Sequence, residues 1–132
     1  MKKISRIIFY WAPAIIWMGV IFYLSSRVRV SLTKQFITDF IIFKTLHMVE
    51  YAILYFLLFR GFYSFKKEKL SWNKRMISAL IISIIYAATD EMHQLSTPTR
   101  QGTVRDIIID AAGATLMYIY IRAKLSLVKK YL

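Results

Sequence analysis

Four long apolar runs divide this chain of 132 residues, and polar residues collect between and near the ends of them. The runs cover residues 7–24, 45–65, 76–95 and 103–123. About 20 helical residues cross the hydrocarbon core of a bilayer, so each run is long enough to be a transmembrane helix. The pattern predicts an all-α, polytopic membrane protein with four spans, in which residues 1–132 form a single transmembrane domain.

Two stretches need separate interpretation. Basic residues precede the first run, as in a signal peptide, but residues 23–26 offer no small-residue cleavage site, so a retained span is expected. Residues 36–43 are semi-apolar and too short to cross a bilayer alone. They form either an interfacial helix or an extension of the second span.

Composition and charge agree with a membrane location. The chain is 58% hydrophobic and contains no cysteine, which excludes disulfides, thiolate catalysis and cysteine-ligated metals. The net charge is +12, and most lysines and arginines lie before the first run, between the second and third, and after the fourth. The other loops carry fewer basic residues, including Arg27, Arg29, Lys34 and Arg100. This distribution predicts that both termini and the loop between the second and third runs are cytoplasmic. The same charges suit anionic lipid head groups, so no nucleic-acid partner is expected.

Ionisable residues inside apolar spans are costly, by about 2.5–3.5 kcal/mol for a centred Asp, Lys or Arg, and they usually mark a functional site. With both termini inside, the polar residues of spans two, three and four all fall at the outer face. The pattern therefore predicts one outward-facing polar site. Its members within or near the spans are Lys44, His47, Glu50, Asp90, Glu91, Gln94, Asp106 and Asp110.

Spacing suggests roles for some of these residues. His47 and Glu50 have the i, i+3 spacing of two metal ligands or of an acid and a base, although Glu50 could instead neutralise Lys44. Asp106 follows Thr103 by three residues, as in a capping box, so it could serve only to begin a helix. Asp110 lies a turn deeper and has no such explanation. The predicted catalytic residues are Glu50, His47, Asp90 and Glu91.

The remaining residues are assigned to binding. Arg100, in the outer link, could hold a carboxylate or phosphate with two hydrogen bonds, or could simply face lipid head groups. His93 could lie either in the site or at the outer interface. The predicted binding residues are Lys44, Tyr51, Gln94, Arg100, Asp106 and Asp110.

Charge counting limits the chemistry. Three cationic residues, Lys44, Arg100 and Arg105, face five carboxylates in the predicted site, which leaves a balance of −2 with neutral histidines. A site built only to hold a phosphate should not carry excess negative charge. Either a divalent cation such as Mg²⁺ is bound, or some carboxylates are protonated. No spacing specifies the metal.

The motifs together resemble the VanZ-like family of small multi-span bacterial membrane proteins, which is named for an accessory protein of teicoplanin (glycopeptide) resistance. Two departures occur: Thr99 stands where the family often has glycine, and Asp110 where asparagine is common. The resemblance implies a role at the bacterial cell envelope. The motifs that carry it are Lys44-x-x-His47-x-x-x-Tyr51, Asp90-Glu91-x-x-Gln94, Pro98-x-Arg100 and Asp106-x-x-x-Asp110-x-x-Gly113.

Three functional hypotheses follow, and a purely structural ion network is a fourth interpretation. The leading one is an envelope protein that acts at the outer leaflet on membrane lipids or a lipid-linked envelope precursor and lowers susceptibility to glycopeptides. The second is metal-assisted hydrolysis or transfer at a lipid phosphate or pyrophosphate. The third is a small proton-coupled transporter, disfavoured because the chain shows no inverted repeat. The oligomeric state stays open.

Overall fold

Five helices make up the computed structural model of the chain, and they confirm the predicted all-α class. The structure describes residues 3–27, 32–33, 35–65, 70–96 and 102–131, and no strand occurs among them. The helices are α1 (Lys3–Ser25), α2 (Phe36–Phe62), α3 (Trp72–Gln94), α4 (Val104–Ala123) and α5 (Leu125–Tyr131).

Three of these helices, α1, α2 and α3, are long and apolar enough to cross a membrane, as expected of a multi-pass membrane protein. Helix α4 has a suitable length of 20 residues. It does not meet the same criterion because Arg105, Asp106, Asp110 and Arg122 leave every 18-residue stretch with at least three charges. The fourth span and the side on which the termini lie stay predictions.

Helix α2 shows that the semi-apolar stretch is an extension of the second span. It runs for 27 residues without a break, about 40 Å, and starts nine residues before the predicted run. Asp39, in its first turn, accepts hydrogen bonds from the backbone N–H groups of Leu32 (3.1 Å) and Thr33 (2.7 Å). These bonds tie the preceding loop to the helix. Lys44 therefore lies two turns inside α2 rather than at its start.

Helix α3 also begins earlier than predicted. Ser71 caps it by accepting a hydrogen bond from the Lys74 backbone N–H, so Lys74 and Arg75 belong to the first turn and not to the loop. Arg75 is almost completely buried. Its side chain donates to the carbonyl oxygens of Leu70 (2.9 Å) and Phe65 (2.7 Å) and closes the turn between α2 and α3.

Helix α2 lies at the centre of the bundle and contacts α1, α3 and α4. Its closest approach to α4 is at Gly113, where an added Cβ would collide with the Met48 backbone. The topology brings together the end of α1, the first half of α2, the end of α3 and the first half of α4. We call this the carboxylate end, and the opposite end, which holds the α2–α3 turn, the aromatic end.

Candidate functional site

Residues from all four long helices meet at the carboxylate end. Every predicted site residue except Arg100 lies there, and Arg100 lies outside the described residues. Arg105, which the charge count included without a role, also lies there, and Ser25 is a contributor that the sequence did not predict. The cluster is formed by Ser25 from α1; Lys44, His47, Glu50 and Tyr51 from α2; Asp90, Glu91 and Gln94 from α3; and Arg105, Asp106 and Asp110 from α4.

Two side-chain contacts join α2 to α4 in matching register, the first an ion pair and the second a contact between a histidine ring and a carboxylate. Lys44 Nζ lies 2.7 Å from Asp106 Oδ1, and one turn further along both helices His47 Nδ1 lies 3.6 Å from Asp110 Oδ1. The same His47 nitrogen is 3.6 Å from Glu50 Oε2. The close crossing at Gly113 permits this register because it holds the two backbones together just below the contacts. His47 is thus placed between a carboxylate of its own helix and one of α4.

A hydrogen-bond network joins α3 to α1. Ser25 Oγ donates to Asp90 Oδ1 (2.6 Å), and Gln94 Nε2 donates to both Asp90 Oδ2 (3.1 Å) and Glu91 Oε1 (3.0 Å). Gln94 therefore holds the acidic pair side by side. One sequence signal could have identified Ser25: its hydroxyl lies at the predicted outer end of the first run, at the same depth as Asp90 in the third run. Sequence spacing alone did not show that α1 faces α3 at this point.

Asp106 both begins α4 and contributes to the cluster. Its backbone N–H donates to Thr103 Oγ1 (3.3 Å), which confirms the predicted cap at Thr103. Its carboxylate, however, contacts Lys44 on α2 and lies 3.5 Å from Arg105 Nε. The side chain therefore joins two helices in addition to its position in the first turn.

Five buried side-chain atoms of the described residues have no hydrogen-bond partner, and two of them, His47 Nδ1 and Asp106 Oδ1, lie within 4 Å of an oppositely charged or ionisable group. The other three are oxygens without such a contact: Tyr51 Oη, Glu91 Oε2 and Asp110 Oδ2. They come from three different helices, and Tyr51 is completely buried. Asp110 and Tyr51 both interact electrostatically with Glu91 and Asp90, so the groups are neighbours. Each unpaired buried polar group costs about 1–3 kcal/mol. A network that served only stability would be expected to pair them.

The arrangement of the described acids and histidines bears on the predicted divalent cation. No group of three or more of their histidine, aspartate and glutamate side chains is arranged to hold a metal ion. Ligands to Mg²⁺ and Ca²⁺ must converge on one point at about 2.0–2.6 Å. The cluster instead pairs its acids with Lys44, His47, Ser25 and Gln94. The geometry therefore gives no support to the predicted Mg²⁺.

His93 lies at the rim of the bundle. Its Nε2 is 2.9 Å from Ser26 Oγ, and its ring stacks on Phe22 with 4.4 Å between ring centroids. These contacts attach α3 to α1 at an exposed position, next to the Ser25–Asp90 bond. They do not include the buried carboxylates.

The fold and the cluster define a multi-pass helical membrane protein with a buried polar site at one end. The VanZ/LLP1 family model matches residues 9–127, and the chain belongs to this family. The match extends beyond the motifs of residues 44–113 to most of α1 and α4. No curated protein and no solved structure matches the chain.

Proposed function

We propose that this protein lowers the susceptibility of bacteria to glycopeptide antibiotics of the teicoplanin type. It does so through the carboxylate end, which faces the outer leaflet of the cytoplasmic membrane. Membership of the VanZ/LLP1 family supports this function. The ligand is a membrane lipid or a lipid-linked envelope precursor whose polar head reaches the cluster.

The observation that carries the proposal is the set of unpaired buried oxygens on α2, α3 and α4. A ligand that donates hydrogen bonds would pair them and recover part of the cost of their burial. The neighbouring side chains are already positioned for this, because Gln94 orients Asp90 and Glu91 and the Gly113 crossing sets the depth of Asp110. Such preorganisation is characteristic of binding sites.

The other hypotheses receive less support. Metal-assisted hydrolysis requires ligands that converge on a metal, and the described acids and histidines do not converge in this way. A proton-coupled transporter typically carries ionisable groups along a path across the membrane. Here the described aspartates and glutamates all lie in the carboxylate end, and the other half of the bundle contains none of them.

The test is the teicoplanin susceptibility of cells that express the wild type, Glu50→Gln or Glu91→Gln at equal membrane levels. We expect the wild type to raise the inhibitory concentration over the empty vector and each variant to lose most of that increase. Thr89→Val is the matched control, because Thr89 is exposed on α3 and its hydroxyl bonds only to the Tyr86 carbonyl. A wild type that matches the empty vector would refute the proposal.

A further inference from the structure

Two cations at the mouth of the carboxylate end share one carboxylate and one aromatic ring. Lys44 Nζ and Arg105 Nε lie 2.7 Å and 3.5 Å from the same oxygen, Asp106 Oδ1. Both cations also lie over the ring of Phe40, at 5.8 Å for Lys44 and 5.0 Å for Arg105. The two nitrogens are thus close enough for a single phosphate group to contact both.

The charges at this end of the cluster are closely balanced. Lys44 and Arg105 exceed the charge of Asp106 by one positive unit, and buried Glu91, which interacts electrostatically with Lys44 and Asp106, offsets it. The first turn of α4 adds the partial positive charge of a helix N-terminus. The other carboxylates of the cluster are Glu50, Asp90 and Asp110. Because Arg105 is exposed and these carboxylates and Glu91 are largely buried, an approaching head group meets the guanidinium first.

An exposed apolar surface adjoins the two cations. It consists of residues of α2 and α4 that the other described helices leave uncovered, with 57–78% of each exposed: Phe36, Ile37, Ile41, Val104 and Ile108. Arg105 is itself exposed at the second position of α4, the level at which cationic side chains meet lipid head groups. Acyl chains would cover the apolar residues while the head group meets the cations.

We propose that Lys44 and Arg105 bind the phosphate of an anionic lipid whose acyl chains lie along α2 and α4. This inference rests on the proposed function for the orientation of the site, and it names the class of its ligand. Arg105 supplies the guanidinium, which can hold two phosphate oxygens at once. Lys44 adds a point charge and stays paired with Asp106. A soluble phosphate fits less well because the apolar surface would give it no contact.

The test compares two charge reversals on one helix. The full-length protein is purified in a neutral detergent, and native mass spectrometry measures its retention of phosphatidylglycerol and of phosphatidylcholine. We expect Arg105→Glu to weaken phosphatidylglycerol binding about tenfold, the loss of one charge-assisted phosphate contact. Arg122→Glu is the control, because Arg122 is exposed in the last turn of α4 and bonds only to Tyr118 Oη (3.1 Å). It should leave binding within about twofold of the wild type.

Three other results would contradict the inference. Equal effects of the two reversals, or equal retention of both lipids by the wild type, would show that Arg105 holds no anionic head group. Displacement of phosphatidylglycerol by equimolar glycerol 3-phosphate would show a soluble phosphate site instead of a lipid site. The susceptibility test is separate, so a protein that changes susceptibility without binding phosphatidylglycerol would refute this inference and leave the proposed function intact. A protein that binds phosphatidylglycerol through Arg105 but does not change teicoplanin susceptibility would refute the proposed function and leave this inference intact.

Discussion

The two ends of the bundle stabilise their charges in different ways. At the aromatic end, cations lie on aromatic rings: Arg60 over Phe9 (4.8 Å) and Tyr10 (4.9 Å), and both Arg75 (4.8 Å) and Lys129 (4.4 Å) over Trp72. At the carboxylate end, Lys44 and Arg105 also lie over a ring, that of Phe40, but there cations and hydroxyls on one helix meet carboxylates on another as well. Described aspartates and glutamates occur only at the carboxylate end.

This difference suggests different roles for the two ends: the aromatic end anchors the α2–α3 turn, and the carboxylate end binds a ligand. A cation on an aromatic ring, or bonded to carbonyls as Arg75 is, needs no buried counter-charge. The aromatic end can therefore hold the turn and face anionic lipid without unpaired groups. The carboxylate end joins its helices through ion pairs and still leaves three buried oxygens unpaired. Buried oxygens without hydrogen-bond partners are expected where a bound ligand supplies the missing hydrogen bonds.

The largest effect is expected at the closest helix crossing. Gly113→Ala should lower the free energy of unfolding by about 3 kcal/mol, because the new Cβ would collide with the Met48 backbone, which cannot move independently of α2. Gly61→Ala, at the aromatic end, is the matched control. Its Cβ would lie 3.1 Å from the Trp11 side chain, which can shift, so the cost should be about 1 kcal/mol or less.

Thermal unfolding in detergent, followed by size-exclusion chromatography, measures both glycine variants. If Gly113→Ala and Gly61→Ala unfold at the same temperature, the α2–α4 crossing does not determine the position of the carboxylate cluster.

An intermediate effect is expected from removing one interhelical cation. Lys44→Met should cost about 2 kcal/mol, because the buried Asp106 carboxylate loses its closest cation and keeps Thr103 and the more distant Arg105. Arg60→Met, at the aromatic end, removes a cation from aromatic rings and leaves no buried charge, so it should cost about 0.5–1 kcal/mol.

The same unfolding measurement in detergent compares the two cation variants, and the double variant Lys44→Met/Asp106→Leu provides a check. It should recover most of the lost stability because no charge is left unpaired. Failure to recover would mean that the pair does more than neutralise Asp106.

The smallest effect is expected at the contact between α1 and α3. Ser25→Ala should cost about 1.5 kcal/mol, since buried Asp90 loses a charged hydrogen bond and keeps the one from Gln94. Ser26→Ala is the control and should cost about 0.5 kcal/mol or less, because Ser26 is exposed beside His93. Equal costs, measured as shifts in the unfolding midpoint, would remove Ser25 from the site.

Much of the site followed from spacing within single helices. The apolar runs predicted the all-α class, and the i, i+3 and i, i+4 spacings placed His47 with Glu50 and Asp90 with Gln94. The Thr103 cap was predicted from its three-residue distance to Asp106. Hydrophobicity left the start of α2 open between two alternatives and placed the start of α3 too late, because Asp39 and Ser71 organise these first turns through contacts that hydrophobicity does not show.

The sequence by itself determined which residues are neighbours along a helix, because a helix repeats every 3.6 residues whatever surrounds it. It also determined that one end would be rich in carboxylates. Only the tertiary structure decided that Lys44 meets Asp106, that His47 meets Asp110 and that Ser25 reaches Asp90. Those pairs depend on the rotation and depth of each helix against the next, which packing sets at contacts such as Gly113 against Met48.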